Sequence, residues 1–205
     1  LLSETDAGIN GQSGWQWLEE ARSALAAMNN VTVLTRTTAI GYYHQNLVGL
    51  CQRLTDHLTS PPADAPRERL WKVRANQVVL AQGSIEKPLV FDGNDRPGVM
   101  LAGSARSYLN RYGVKVGNRP VIVTSHDSAW LAAFDLAEAG VKVAAMIDIR
   151  PNVSGHLMER AAALGVEVLT GWTVTGTGGR LRVASVRANP VSRSGVVGPA
   201  RTISC

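Results

Sequence analysis

From residue 120 to residue 147 the chain alternates in a way that admits few folds. An apolar run over 120–124 is followed by a helical pattern over 127–139 and a second apolar run over 142–147. Two short apolar runs joined through a helix of that length predict neighbouring parallel strands, because the crossover must return to the same end of the sheet and its helix must cover one face. The chain is therefore read as α/β, with this βαβ unit at its centre.

A βαβ unit that holds a dinucleotide carries G-x-G-x-x-G or A at its first turn, where the second glycine lets the pyrophosphate lie against backbone at the helix N-terminus. Here the turn after Val121-Ile122-Val123 reads Thr124-Ser125-His126-Asp127-Ser128-Ala129. Thr124, His126 and Ala129 fall on the three glycine places. Ala129 satisfies the third, which concerns close packing, but His126 sets an imidazole where phosphate must approach, and Asp127 sets a negative charge where the helix dipole would attract an anion. The turn is read as closed to phosphate, with Asp127 or Ser125 acting as a helix cap. Asp148, 22 positions past His126, sits where a ribose-binding carboxylate belongs. Without the glycines it is read as a relic or a surface acid.

Around this unit the patterns predict further elements. A helix over 14–28 starts after Ser13 as N-cap, followed by a strand over 31–35 and a hairpin of 38–43 with 47–50 turning at His44-Gln45-Asn46. The proline-rich stretch over 60–66 is a loop, and strands are expected over 69–75 and 77–81. Helices are expected over 101–112 and 154–164, the latter ended by Gly165. A third strand over 166–169 follows, then a hairpin of 172–177 with 181–188 around Gly178-Gly179. Residues 1–91 then form a partial first lobe, 92–119 a connection with a crossing helix, and 120–205 a second lobe.

Composition narrows the function. Net charge is +5 from 21 basic and 16 acidic residues, but the basic residues are scattered with no dense run and few aromatics between them, which describes a solvated surface rather than a nucleic-acid stripe. Cys51 and Cys205 have no metal or CxxC spacing, which fits a reducing compartment. No apolar run approaches the roughly 18 residues of a membrane span, so a cytoplasmic location is expected. The start at Leu1 and the alternating run ending at Cys205 read as an excised mid-section. His44, His57, His126 and His156 have no ligand-spaced partners, and no G-x-S-x-G appears, so neither a metal site nor a catalytic side chain is assigned. Any hard chemistry is left to a cofactor.

Four segments carry a more specific likeness: Arg74-Ala75-Asn76-Gln77-Val78-Val79-Leu80-Ala81-Gln82-Gly83-Ser84, Glu86-Lys87-Pro88-Leu89-Val90-Phe91, Asn94-Asp95-Arg96-Pro97-Gly98-Val99-Met100 and Tyr108-Leu109-Asn110-Arg111-Tyr112. Together with the glycine-poor turn at 124–129 they resemble the alpha subunit of heterotetrameric sarcosine oxidase, across essentially the whole chain. The resemblance implies a two-lobed FAD/NAD(P)-binding, Rossmann-like fold, its first lobe incomplete and its second a βαβ unit with an antiparallel hairpin.

It also implies an NAD held in the first lobe, FAD and FMN elsewhere in the complex, and beta, gamma and delta subunits as partners. The implied activity is oxidative demethylation of sarcosine to glycine with hydrogen peroxide. The one-carbon unit passes to tetrahydrofolate bound outside this chain. By position, Ala39 falls at the family's adenine-side contact and Gly83 at the glycine of its Ala-Thr-Gly-Ala turn near the pyrophosphate, with Gln82 and Ser84 in place of Thr and Ala. Plain strand packing for Ala39 and a bare turn requirement for Gly83 stand as alternatives. Other readings kept open are a subunit of an opine-type or hydrogen cyanide synthase dehydrogenase, or a scaffold subunit that has lost nucleotide binding.

Overall fold

The computed structural model describes residues 8–205. Residues 1–7 of the polar stretch that opens the chain lie outside the described residues. The chain falls into two compact units, the first ending at Ser84 and the second spanning Ile85–Cys205.

In the first unit a two-residue ladder of β1 (Gly8–Ile9) and β2 (Gln12–Ser13) leads into helix α1 (Gly14–Ala26). Ser13 is the N-cap, as its sequence position predicts. Its hydroxyl accepts from the Gln16 amide at 3.3 Å while the Gln16 side chain accepts from the Ser13 amide at 3.2 Å, a reciprocal box that satisfies two of the helix's orphan donors. Strands β3 (Thr37–Tyr43), β4 (Leu47–Arg53) and β5 (Glu68–Arg74) then form an antiparallel meander in sequence order. A one-turn 3-10 segment at His44–Asn46 joins the first two, with Gln45 at φ 58 and Asn46 at φ 52 making the reversal.

Two expected strands are absent. Residues 31–35 and 77–81 have no strand pairing, and Val79 and Leu80 are 89% and 67% exposed. Both runs have β-forming composition, but a strand needs a neighbour for its backbone groups, and none of the described strands lies beside them. The chain after β5 is held instead at Asn46, whose side-chain amide donates to the Asn76 carbonyl at 2.9 Å and whose carbonyl accepts from the Ala75 amide.

The second unit contains helix α2 (Ala102–Tyr112), strand β6 (Val121–Thr124), helix α3 (Ser128–Glu138), strand β7 (Ala145–Asp148), helix α4 (Gly155–Ala163) and strand β8 (Val168–Thr170). Strands β6, β7 and β8 form a parallel sheet in that order, with Thr124 opposite Asp148 and Asp148 opposite Thr170. Gly165 ends α4 with φ +66, a conformation that other residues enter at a cost. Beyond lies an antiparallel sheet in which β10 (Ser185–Ser192) pairs with β9 (Trp172–Gly178), with β11 (Gly195–Val196) and with β12 (Arg201–Ser204).

The alternation along β7 builds the layers. Met146 faces a helix-side core with Trp130, Phe134 and Leu136 of α3 and Leu157 and Ala161 of α4, while Ala145 and Ile147 face a second core with Val174, Val186, Ala188 and Ile203. The parallel sheet is thus sandwiched between helices and an antiparallel sheet, and its central strand is buried on both faces. Helix α2 joins the helix layer through Asp135 of α3, which accepts from Arg106 Nε and Asn110 Nδ2, each at 2.6 Å.

Candidate functional site

The crevice at the carboxyl ends of β6 and β7 is where an open α/β sheet receives a nucleotide. In this chain the turn that borders it satisfies its own polar groups. The buried Thr124 hydroxyl donates to the His126 carbonyl at 2.8 Å and accepts from the His126 amide at 3.1 Å. His126 Nδ1 lies 2.9 Å from the Ser128 hydroxyl. The amide of His126, one that a phosphate would use, is therefore already engaged.

Asp148 closes the opposite side. It is fully buried and accepts four hydrogen bonds: from Trp130 Nε1 at 2.9 Å, from the Arg150 amide at 2.9 Å, and from Arg150 Nε and Nη2 at 3.0 and 2.7 Å. It is not a surface acid, and that reading of the sequence is corrected here. The reason is that β7 ends with its outward positions still covered by α3, so an acid at this register points into the helix-side core, where only paired charges are tolerated. Burial by itself pushes the carboxyl up. The hydrogen bonds from Arg150 and Trp130 and the Arg150 charge outweigh that and hold it below the ordinary carboxylate range.

Arg150 also reaches Asp127, with Nη1 2.8 Å from Oδ1, and the two carboxylates raise its own pKa further above an already high value. Asp127 stands at the N-cap of α3 but makes no side-chain capping bond, and Ser125 makes none either. Asp127 has αR backbone (φ -69, ψ -26) rather than the extended conformation from which an N-cap side chain reaches the first-turn amides, and its carboxylate pairs with Arg150 instead. Trp130 was not singled out in the sequence, where an apolar helix position reads as core. Its position 18 residues before Asp148 carries no local signal.

The arrangement does not fit a pyrophosphate. An imidazole and a carboxylate border the start of α3, the nearby guanidinium is neutralised by two acids, and the strand-end acid that would take a ribose hydroxyl has its oxygens filled.

The residues carried over by resemblance lie in the first unit. Ala39 is exposed on β3 opposite Leu50 of β4, which in turn pairs with Trp71 of β5, so these three share one sheet face. Gln82, Gly83 and Ser84 are exposed and outside regular structure. Gly83 has φ +75, and nothing lies within 4 Å of where a Cβ would stand, so its backbone is open to an approaching group. Among the described residues no hydrogen bond joins Ala39 to 82–84. Ala39 and the Gly83 turn are accessible surfaces, but they are not a gripping site on their own. No group of three or more His, Cys, Asp or Glu side chains able to hold a metal occurs among the described residues.

No family model matches the chain. Over 170 residues, 82% of its length, it is 49% identical to sarcosine oxidase subunit alpha of Corynebacterium sp. (strain P-1). It is 43% identical over 171 residues to the same subunit of Rhizobium meliloti (strain 1021). The matched stretch spans 17% of each of those subunits. Among solved structures, an NAD-dependent persulfide reductase from A. fulgidus superposes with a TM-score of 0.50 at 16% identity, covering 82% of this chain and 30% of that one. This likeness shows the fold alone, an α/β architecture with a partial Rossmann-like unit.

Proposed function

Because the chain is homologous to a segment of sarcosine oxidase alpha subunits, we propose that it is the cofactor-holding part of a flavin-linked oxidase for N-methyl amino acids. It contributes nucleotide contacts and a packed scaffold rather than catalytic side chains. The observation that carries this reading is the 49% identity maintained over 170 residues. In the complete protein the reaction is oxidative demethylation of sarcosine to glycine and hydrogen peroxide, with the one-carbon unit passed to tetrahydrofolate at a region outside this chain. FAD and FMN serve the oxidation in the complex, and beta, gamma and delta subunits complete a cytoplasmic heterotetramer. No helix among the described residues is long and apolar enough to cross a membrane.

Within this reading NAD belongs to the first unit, with Ala39 against the adenine and the Gln82-Gly83-Ser84 turn beside the pyrophosphate. Two features support that assignment: the open backbone of Gly83, and the closed turn at 124–129, whose groups are already engaged. A bound NAD supplies a nicotinamide and a dinucleotide body. What the chain supplies is surface and backbone.

The test is expression of the complete open reading frame with its neighbouring subunits, followed by chromatography of the released nucleotides and assay with sarcosine. Stoichiometric NAD that falls when Gly83 is replaced by Val, with sarcosine-dependent peroxide formation, is the expected result. Flavin reduction by an opine but not by sarcosine would transfer the chain to the opine-type reading, and a complex free of nucleotide would make it a scaffold.

A further inference from the structure

The second unit contains a cavity of about 710 Å³ that the nucleotide reading does not use. It lies beneath the start of α2, with Val121 and Val123 of β6, Val174 of β9 and Val186 of β10 among its apolar walls. Its volume falls in the range of about 300–1,000 Å³ that small-molecule sites occupy.

The charges at its border are unbalanced. Lys87, Arg119 and Arg182 line it as exposed cations, against one acid, Glu86. That acid is spent: Glu86 Oε1 and Oε2 accept from the amides of Ala102 and Gly103 at 3.2 and 2.7 Å, serving as the cap that Leu101, the N-cap residue of α2, cannot provide. Among the described ion pairs none involves Lys87, Arg119 or Arg182. Two other polar lining residues are already engaged: the Thr177 hydroxyl donates to the Gly93 carbonyl at 2.9 Å and accepts from Arg96 Nε at 3.2 Å, and Asn94 Nδ2 donates to the Leu89 carbonyl at 2.8 Å. Three uncommitted cations around valine walls complement a ligand with an apolar body and a negative head, since such a molecule buries its hydrocarbon and gives each cation an anionic partner near low-dielectric surface.

We propose that this cavity is a binding site for an organic anion with an apolar, ring-sized body, of the carboxylate or sulfonate class, its head group held by Arg119 and Arg182 with Lys87 at the rim. The inference is independent of where NAD binds, because every lining residue lies in the second unit.

Cys205 lines the cavity and serves as an internal reporter, with Cys51 in the first unit as control. The experiment follows alkylation of both thiols in the 205-residue chain by neutral iodoacetamide, using peptide mass spectrometry, in the presence of 2-naphthoate or the uncharged 2-naphthylmethanol. At about nine times the naphthoate Kd, Cys205 alkylation slows about tenfold, since about a tenth of the sites stay free, while Cys51 is unchanged and the alcohol protects far less. An Arg119→Ala/Arg182→Ala double variant loses the protection and a double Lys replacement keeps part of it. Equal protection by the alcohol, protection that survives the double Ala variant, or none from naphthoate in the unaltered chain would overturn the proposal. The first and last comparisons need no variant to fold.

Discussion

Asp148 and Arg150 are two positions apart and joined by three hydrogen bonds, from the Arg150 amide at 2.9 Å, Nε at 3.0 Å and Nη2 at 2.7 Å. The pair welds the end of β7 to the chain that follows it. Through Trp130 and Asp127 it also ties that strand to α3, so the crevice of the second unit is shut by a network anchored on one buried acid.

Replacing Arg150 with Ala leaves Asp148 buried and lacking its cation, a change that costs about 3–5 kcal/mol by analogy with other broken buried pairs. Urea unfolding monitored by tryptophan fluorescence is expected to show that loss. An Asp148→Leu/Arg150→Met double variant is expected to lose much less than the sum of the single changes. Additive losses would show that the two side chains do not act as a unit.

The Asp148 carboxyl has a folded pKa below its unfolded value of 3.8. A depressed carboxylate contributes stability that is fully present above the unfolded value and is lost as pH falls through the folded one. The chain is therefore expected to lose stability on acidification below about pH 4. Asp148→Asn, less stable at neutral pH, should show a shallower decline over that window. Parallel pH profiles of the two proteins by thermal melting check this.

Calorimetric titration of NAD into residues 1–205 is expected to give no saturable heat, because the turn at 124–129 has its groups engaged by Thr124, Ser128 and Arg150, and the exposed Ala39 and Gly83 of the first unit are not a gripping site on their own. Installing glycine at Thr124 and His126 together is expected not to create binding, since Asp127 and the filled Asp148 remain. Tight NAD binding that is lost on changing residues 124–129 would reverse the assignment of the nucleotide to the first unit.

Burial pushes the Cys205 thiol up, and the charge of Arg119 offsets only part of that. Alkylation of Cys205 should therefore rise with pH along a curve displaced to the alkaline side of a small free thiol measured alongside, because the thiolate is the reacting form. Arg119→Ala is expected to displace it further.

Several elements were legible because their signals are local. Ser13 caps α1 through bonds to Gln16 three residues away, and the reversal at His44–Asn46 is written in residues that tolerate positive φ. The βαβ unit follows from two apolar runs separated by one helix length, and the closed turn from His126 and Asp127 standing where glycines would be needed. Other features had no local signal. The apolar runs at 31–35 and 77–81 look like strands, yet pairing depends on a neighbour that composition does not specify. Asp127 looked like a cap because the guanidinium that claims it lies 23 positions on. The cavity charges looked like scattered surface charge, since Lys87, Arg119 and Arg182 come to line one cavity only in the folded second unit.

What the sequence determined by itself was the order of strands and helices in the second unit and the loss of its phosphate turn, because hydrophobic period, caps and missing glycines act within a few residues. What only the tertiary structure decided was the role of Asp148. The same residue at a strand end serves as a ribose acceptor, a surface acid or a buried anchor depending on which side chains meet it, and here Trp130 from α3 and Arg150 from beyond β7 arrive only when the sheet and helix layers close. Electrostatic partnership is set by distance in space and by exclusion of water, and neither is a property of neighbouring letters in the chain.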